Sequence, residues 1–353
     1  MNLATVLKLT RISAWPTLLS NVLAAWWLAG CDSEKAAPAG LLLLLFVTAS
    51  CFYLAGMVLN DFFDARLDAV ERPERPIPSG EIPAAEAGFL GFFLLFCGLS
   101  GTEFCAASTG SELLRYTGRV LAAMIVGYDV LFKRFPLIGP FAMGYCRFLN
   151  ILFIIVAVNA VIFWPDHHVP YTWEDELTLL SWPLFYAFGI MAYIVGVTIV
   201  SGFEAGLPDD EPLNIRCRIS VWCGVGFSLL GLFFLFAPIL GSMVTENFSL
   251  HLSFKPLSDV VVSKEPVFSD PPWNKYLTFL FAALPFVLLW KPVQGILQQP
   301  VSATVRHYVG SALALIIPID AVCCLVYVGL VPALSILCLL PLTMLLRRIV
   351  PMS

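Results

Sequence analysis

Runs of about 20 apolar residues constrain this chain more than any other feature. A helix rises about 1.5 Å per residue, so roughly 20 residues cross a hydrocarbon layer of about 30 Å, within which each backbone N–H and C=O must be satisfied locally. Such runs lie near 12–30, 40–59, 87–108, 119–132, 141–164, 182–200, 219–244, 276–290, 308–330 and 333–346. They predict an all-α, polytopic membrane protein of nine or ten transmembrane helices. The last two runs meet at Pro332 and read either as one broken helix or as two spans. With 59% apolar and 13% charged residues, a water-soluble fold is excluded.

Orientation follows from where the cations fall. Ten spans with a cytoplasmic N-terminus put Lys8, Arg11, Arg66, Arg72, Arg75, Lys133, Arg134, Arg216, Arg218, Lys291, Arg306, Arg347 and Arg348 inside. Lys35, Arg115, Arg119, Lys255, Lys264 and Lys275 fall outside, and Arg147 lies near the inner end of the fifth span. The bias runs as the positive-inside rule requires and predicts a multi-pass protein of the cell (inner) membrane. A net charge of −5 leaves no basic footprint, so nucleic acid is not expected as a partner. The ten cysteines form no CxxC pair and read as small packing residues. The chain reads as a single domain, 1–353, with a Ser- and Pro-rich outer loop at about 245–275. Outer loop 165–178 carries Asp166, His167, His168 and Glu174, but adjacent residues of a solvated loop seldom converge on one ion.

The second span closes on Asn60, Asp61, Phe62, Phe63, Asp64, Ala65, Arg66, Leu67 and Asp68. Acids at i, i+3 and i+7 fall within an arc of about 60° over about 10 Å of helix, with Asn60 beside them. Three like charges on one stripe need a cation. A hard ion such as Mg²⁺ suits them, being held by one or two carboxylates and sharing its other positions with water and a substrate phosphate. Spacing alone leaves a second reading open, a solvated helix end paired with Arg66, Arg72 and Arg75. The proline-stiffened connection Arg72-Pro73-Glu74-Arg75-Pro76-Ile77-Pro78-Ser79-Gly80 keeps two guanidiniums near the ladder, where they suit phosphate oxygens. The fourth span leaves the membrane on the same side through Tyr128, Asp129, Lys133 and Arg134. The fifth opens with Gly144, Arg147 and Asn150. Arg147, a turn or two inside a span, needs a partner or a water-filled cavity, and so does Asp320, mid-span in an apolar helix.

At these residues the sequence resembles the UbiA superfamily of intramembrane prenyltransferases. The resemblance rests on Asn60-Asp61-x-x-Asp64-x-x-x-Asp68, then Arg75-Pro76-Ile77-Pro78-Ser79-Gly80, then Tyr128 with Lys133 and Arg134, and Gly144, Arg147 and Asn150; Arg11 matches the family's arginine in the first span. It implies a helical bundle around a central, lipid-accessible cavity whose mouth faces the cytoplasm. The implied activity is Mg²⁺-dependent transfer of a prenyl group from an isoprenoid diphosphate to a hydrophobic, sometimes aromatic, acceptor within the membrane. The alternative is a non-catalytic carrier of a prenylated lipid on the same fold.

Carried onto this chain, Asp61, Asp64 and Asp68 are the metal ligands, with Asn60 beside them, and Arg11, Arg72, Arg75, Tyr128, Lys133, Arg134, Arg147 and Asn150 receive the substrate. The family's second aspartate motif, at the end of the sixth span, is reduced to Glu204, with Asp209, Asp210 and Glu211 following Pro208. One intact and one degenerate motif resemble the EboC-like branch of the superfamily. Glu204 is the remaining candidate catalytic acid there.

Overall fold

In lipid, helices gain little from hiding apolar side chains from one another, so their packing depends on close backbone approach and a few interhelical hydrogen bonds. The computed structural model describes residues 3–30, 37–163, 181–203, 215–244, 273–299 and 301–349, and among these there are helices and short turns but no strand. In chain order the helices are α1 (Leu3–Leu9), α2 (Trp15–Gly30), α3 (Ala39–Glu71), α4 (Ala84–Thr109), α5 (Glu112–Val130) and α6 (Ile138–Phe163). There follow α7 (Ser181–Ser201), α8 (Ile215–Val244), α9 (Trp273–Gln298), α10 (Ser302–Tyr327), α11 (Leu330–Leu337) and α12 (Leu339–Ile349). Loop 165–178, Glu204, the acids at 209–211 and residues 245–272 of the outer loop lie outside the described residues.

Among the described residues seven helices (α3, α4 and α6–α10) are long and apolar enough to cross a membrane. The protein is an all-helical, multi-pass integral membrane protein. Helix α2 has 16 residues, and α5 carries Glu112, Arg115, Arg119 and Asp129, so length and charge set these two apart from the seven. The chain breaks before Pro332: α10 ends at Tyr327, and Gly329 adopts φ 135°, a conformation a side chain would resist. The remaining apolar stretch divides again at Cys338 into α11 and α12.

The α7–α8 pair has the most extensive contact of any two helices. Its cause is a glycine every seventh residue on each partner, Gly189 and Gly196 facing Gly224 and Gly231, which stacks the small positions on one face. A Cβ placed on Gly231 would lie 2.6 Å from the Gly189 carbonyl oxygen and 2.8 Å from Tyr193 Cα, so no side chain fits without separating the backbones. Tyrosines pin this pair to its neighbours: Tyr193 donates to the Ala312 carbonyl on α10 at 2.8 Å, and Tyr327 of α10 to the Leu235 carbonyl on α8 at 3.1 Å.

Helix α3 positions the site. Its 33 residues extend about 50 Å. The apolar stretch accounts for the bilayer and the acidic stripe lies on the overhang. After Arg72 the chain folds back through Ser79 N–H to Arg75 C=O (2.9 Å) and Ile82 N–H to Pro76 C=O (3.2 Å), burying Ile82 and Arg75. At the opposite end of α4 the helix stops at Gly110 (φ 71°), and Ser111 caps α5 by accepting from Leu114 N–H at 3.1 Å. That two-residue link returns α5 towards the acidic end. Glu103 there binds Arg115 (2.9 Å) and Arg119 (2.7 Å), and Arg115 also pairs with Glu112. The two ends of the bundle therefore differ: carboxylates answer both arginines at one, and at the other Arg66 and Arg134 are exposed.

Candidate active site

The three acids of the α3 stripe separate into two oxygen-lined points, the first occupied by Arg75 and Arg11 and the second by Lys133. At the first, Arg75 Nη1 lies 3.2 Å from Asp61 Oδ1 and 2.7 Å from Asp68 Oδ2, and Arg11 Nη2 reaches the same Asp61 oxygen at 3.0 Å. At the second, Lys133 Nζ lies 2.8 Å from Asp64 Oδ1, 3.3 Å from Asn60 Oδ1 and 3.9 Å from Asp129 Oδ1. Asp61 and Asp68 are each 4% exposed and Asp64 is half-buried; of the arginines named for a solvated helix end, Arg75 does pair with the stripe, but at a buried position.

The backbone is arranged around these contacts. Arg11 adopts φ 45°, the one non-glycine residue with positive φ among the described residues, in a left-handed turn between α1 and α2. A non-glycine residue held there is strained, and here the conformation carries its guanidinium to Asp61 across 50 positions of sequence. Helix α1 is fastened beside it by Glu81, which accepts from Lys8 at 2.8 Å and from Thr5 at 3.2 Å. The hydrogen bond from Lys8 is the main cause holding the Glu81 carboxyl below its ordinary range.

Asp129 is the residue that sequence reasoning undervalued. It is 2% exposed, and among the described residues neither carboxylate oxygen has a hydrogen-bond partner; Lys133 at 3.9 Å is its nearest cation. A buried orphaned carboxylate is costly unless something charged completes it. The signal was present as Asp129 and Lys133 four apart at the end of α5, a spacing that places both on one helix face.

These contacts bear on Mg²⁺. No three His, Cys, Asp or Glu side chains converge on one point among the described residues. Mg²⁺ needs only one or two protein carboxylates when phosphate oxygens complete its shell. Asp61 with Asp68, and Asp64 with Asn60 and the orphaned Asp129, form two such oxygen sets, each now closed around an arginine or lysine nitrogen. The donor chemistry fits the ion.

The other expected site residues divide by depth. Arg72 is half-buried and Arg134 exposed, and neither joins the ladder. Tyr128 is half-buried within electrostatic reach of Asp64 and Arg11. Arg147 lies deeper, its Nη2 donating to Thr17 Oγ1 at 3.3 Å and its guanidinium 5.6 Å from the ring centre of Tyr53. Asn150 is buried one turn further along α6. Asp320 has found its partners, Asn21 on α2 and Tyr186 on α7.

Comparison with known proteins gives the family. The profile of the UbiA prenyltransferase family matches residues 13–253, more than half of the chain. The chain belongs to this family.

Among curated relatives, the digeranylgeranylglyceryl phosphate synthase of Methanosarcina mazei is 34% identical over 102 residues, 29% of this chain and 34% of that protein. The same-named protein of Haloquadratum walsbyi is 35% identical over 121 residues, 33% of this chain and 37% of that protein. The similarity thus spans about a third of these relatives' length. Two solved UbiA homologs share the fold. The one from Aeropyrum pernix K1 has a TM-score of 0.56 at 13% identity, covering 87% of this chain and 96% of that one. The one from Archaeoglobus fulgidus, bound to GPP and Mg²⁺, has a TM-score of 0.51 at 13% identity, covering 88% and 99%.

Proposed function

We propose that this UbiA-family chain, acting as one domain over 1–353, transfers a prenyl group from an isoprenoid diphosphate to a hydrophobic acceptor within the membrane, with Mg²⁺ as cofactor. The observation that carries this reading is the burial of Asp61 and Asp68 around Arg75, with half-buried Asp64 and buried Asp129 beside Lys133, at one end of a bundle of membrane helices. The UbiA homolog described as bound to GPP and Mg²⁺ supports it by fold. The acidic end faces the cytoplasm of the cell membrane, because Arg66, Arg72 and Arg134 gather there while the arginines of the other end are paired.

When bound, Mg²⁺ would supply electrostatic stabilisation of the departing diphosphate, held by Asp61 and Asp68 on one side and by Asp64, Asn60 and Asp129 on the other. Arg75, Arg11 and Lys133 then exchange carboxylate partners for diphosphate oxygens, which they meet with charge-assisted hydrogen bonds. Arg72 and Arg134 add charge at the rim. The allylic C–O bond breaks with both electrons leaving on the diphosphate, and the cations that have moved onto its oxygens lower the barrier. The electron-poor carbon then bonds to the acceptor, which loses a proton.

Membranes containing the protein, incubated with labelled geranyl diphosphate, Mg²⁺ and extracted membrane lipid, should form a labelled lipid product. Asp61→Ala should form none. Diphosphate binding without product under any acceptor mixture would favour the carrier reading instead.

A further inference from the structure

The acids that close α3 already have cations in the place a metal ion would take. Asp61 Oδ1 accepts from Arg75 Nη1 at 3.2 Å and from Arg11 Nη2 at 3.0 Å, and the same Arg75 nitrogen donates to Asp68 Oδ2 at 2.7 Å. One nitrogen in contact with both oxygens fills the point between them. An ion bridging Asp61 and Asp68 would need that point, since Mg²⁺ draws its oxygen ligands to about 2.1 Å. A dication entering there also meets two guanidiniums, each repelled twice as strongly as by a single charge at the same distance. Ion and arginine therefore compete for the same oxygens.

Arg75 has no second carboxylate to retreat to. Its side chain is 9% exposed, and among the described residues its ion pairs are those with Asp61 and Asp68. The backbone holds it in place, with Arg75 N–H bonded to Arg72 C=O at 3.1 Å and Ser79 N–H to Arg75 C=O at 2.9 Å, in a segment stiffened by Pro73, Pro76 and Pro78. Displaced by a metal ion alone, the guanidinium would be left buried without an anion, which is strongly unfavourable. A diphosphate offsets that penalty, because its oxygens accept from the guanidinium while others ligate the metal. Lys133 differs. When Asp64 is taken, the Asp129 carboxylate, buried and without a hydrogen-bond partner among the described residues, already lies 3.9 Å away to receive it. The obstacle to a free ion is thus Arg75, reinforced by Arg11.

We propose that Arg75 is an internal lock on the Asp61–Asp68 pair, so that this chain takes its divalent ion only together with a diphosphate, as one metal–diphosphate complex. The inference rests on the prenyl-transfer reading of the same site and specifies the form in which cofactor and first substrate enter. Metal and diphosphate each raise the affinity for the other, and by linkage the two increases are equal. Free Mg²⁺ does not fill a site closed in this way before the substrate arrives, and the arginine returns to the carboxylates when the diphosphate leaves with its metal.

The test is equilibrium dialysis of the full-length protein in phosphatidylcholine nanodiscs, with empty nanodiscs as the blank, against Mn²⁺ alone, inorganic pyrophosphate alone, and both together. Metal pyrophosphate formed in solution equalises across the dialysis membrane, so the excess on the protein side is what the protein binds. Pyrophosphate should tighten Mn²⁺ binding by about tenfold to a hundredfold. Arg75→Gln should move two affinities in opposite directions: Mn²⁺ alone binds at least about tenfold tighter than to the native protein, whereas Mn²⁺ with pyrophosphate binds more weakly. Mn²⁺ alone should raise the melting temperature of this variant and leave that of the native protein unchanged, a pattern that a merely structural arginine would not produce. If Arg75→Gln does not fold, Arg11→Gln, which removes the second cation on Asp61, should show the same gain in Mn²⁺ affinity in smaller measure. Native protein that binds Mn²⁺ equally well with and without pyrophosphate, or folded variants with no gain in Mn²⁺ affinity, would overturn the lock and leave the prenyl-transfer reading standing. Native protein that binds pyrophosphate in no combination would overturn both.

Discussion

At the scale of single residues, the ladder is closed by the very cations expected to receive the substrate. Arg75 and Lys133 sit where a divalent ion would, with Asp61, Asp68 and Asp129 buried and Asp64 half-buried beside them, so the acids are answered from within the chain. Removing one partner of such a buried pair leaves an uncompensated charge. Arg75→Ala should therefore lower stability by about 3–5 kcal/mol as well as weaken diphosphate binding, measured by thermal unfolding and by titration with geranyl diphosphate. Asp129 makes the opposite prediction. Its carboxylate lacks hydrogen-bond partners and has Lys133 only at 3.9 Å, so Asp129→Asn should raise the melting temperature of the protein while reducing Mg²⁺-dependent diphosphate binding by about tenfold or more. A variant that loses both stability and binding would show Asp129 to be an ordinary structural ion pair. The ladder itself was legible in the sequence because i, i+3, i+7 spacing fixes a helix face. The Asp129 environment was not, because burial depends on how α5 packs against α3.

At the scale of elements, the apolar runs located the helices well, since hydropathy and helix geometry impose the same length. Their limits followed other physics. Helix α3 continues to Glu71, well past its apolar part, because good helix formers such as Ala65, Arg66 and Leu67 extend it into water. The final break sits at Gly329 rather than at Pro332, since a proline near a helix N-terminus is tolerated, whereas the chain reversal needs a glycine backbone. Contacts between helices were invisible to span counting: the glycine face of α7 and α8 is a property of two segments together. Gly231→Leu should separate that pair and cost about 1–3 kcal/mol, read as a lowered melting temperature in detergent. Helix α1 depends on Glu81, whose carboxyl is held low by Lys8. Its tether should be intact above the carboxylate range and weaken as pH falls through the folded-state value, so hydrogen exchange in 3–9 should accelerate under acid before that in α3.

At the scale of the whole molecule, the division of charge gives the bundle a direction. The Glu103–Arg115–Arg119 cluster marks one face, and the carboxylate ladder with exposed Arg66 and Arg134 marks the other. Epitopes inserted at Gly80 and at Gly110 should be reached from opposite sides of the membrane, Gly80 from the cytoplasm. Accessibility of both from one side would reverse the topology derived from positive charge. Function was legible at this scale only through the coincidence of acids and arginines within a few residues of a span's end. The buried cluster of Asn21, Tyr186 and Asp320 draws on α2, α7 and α10, residues up to 299 positions apart, and no local pattern announces it.

The central claim is that the acidic end of α3 grips a divalent ion and, through it, a diphosphate. The most direct test is equilibrium binding of labelled geranyl diphosphate to the purified protein, with Mg²⁺ or with a chelator, in the native chain and in Asp61→Ala and Asp64→Ala. The account predicts saturable binding that falls by at least about tenfold on chelation and is weakened as strongly by either substitution. Binding that is indifferent to Mg²⁺ and unchanged in both variants would contradict it.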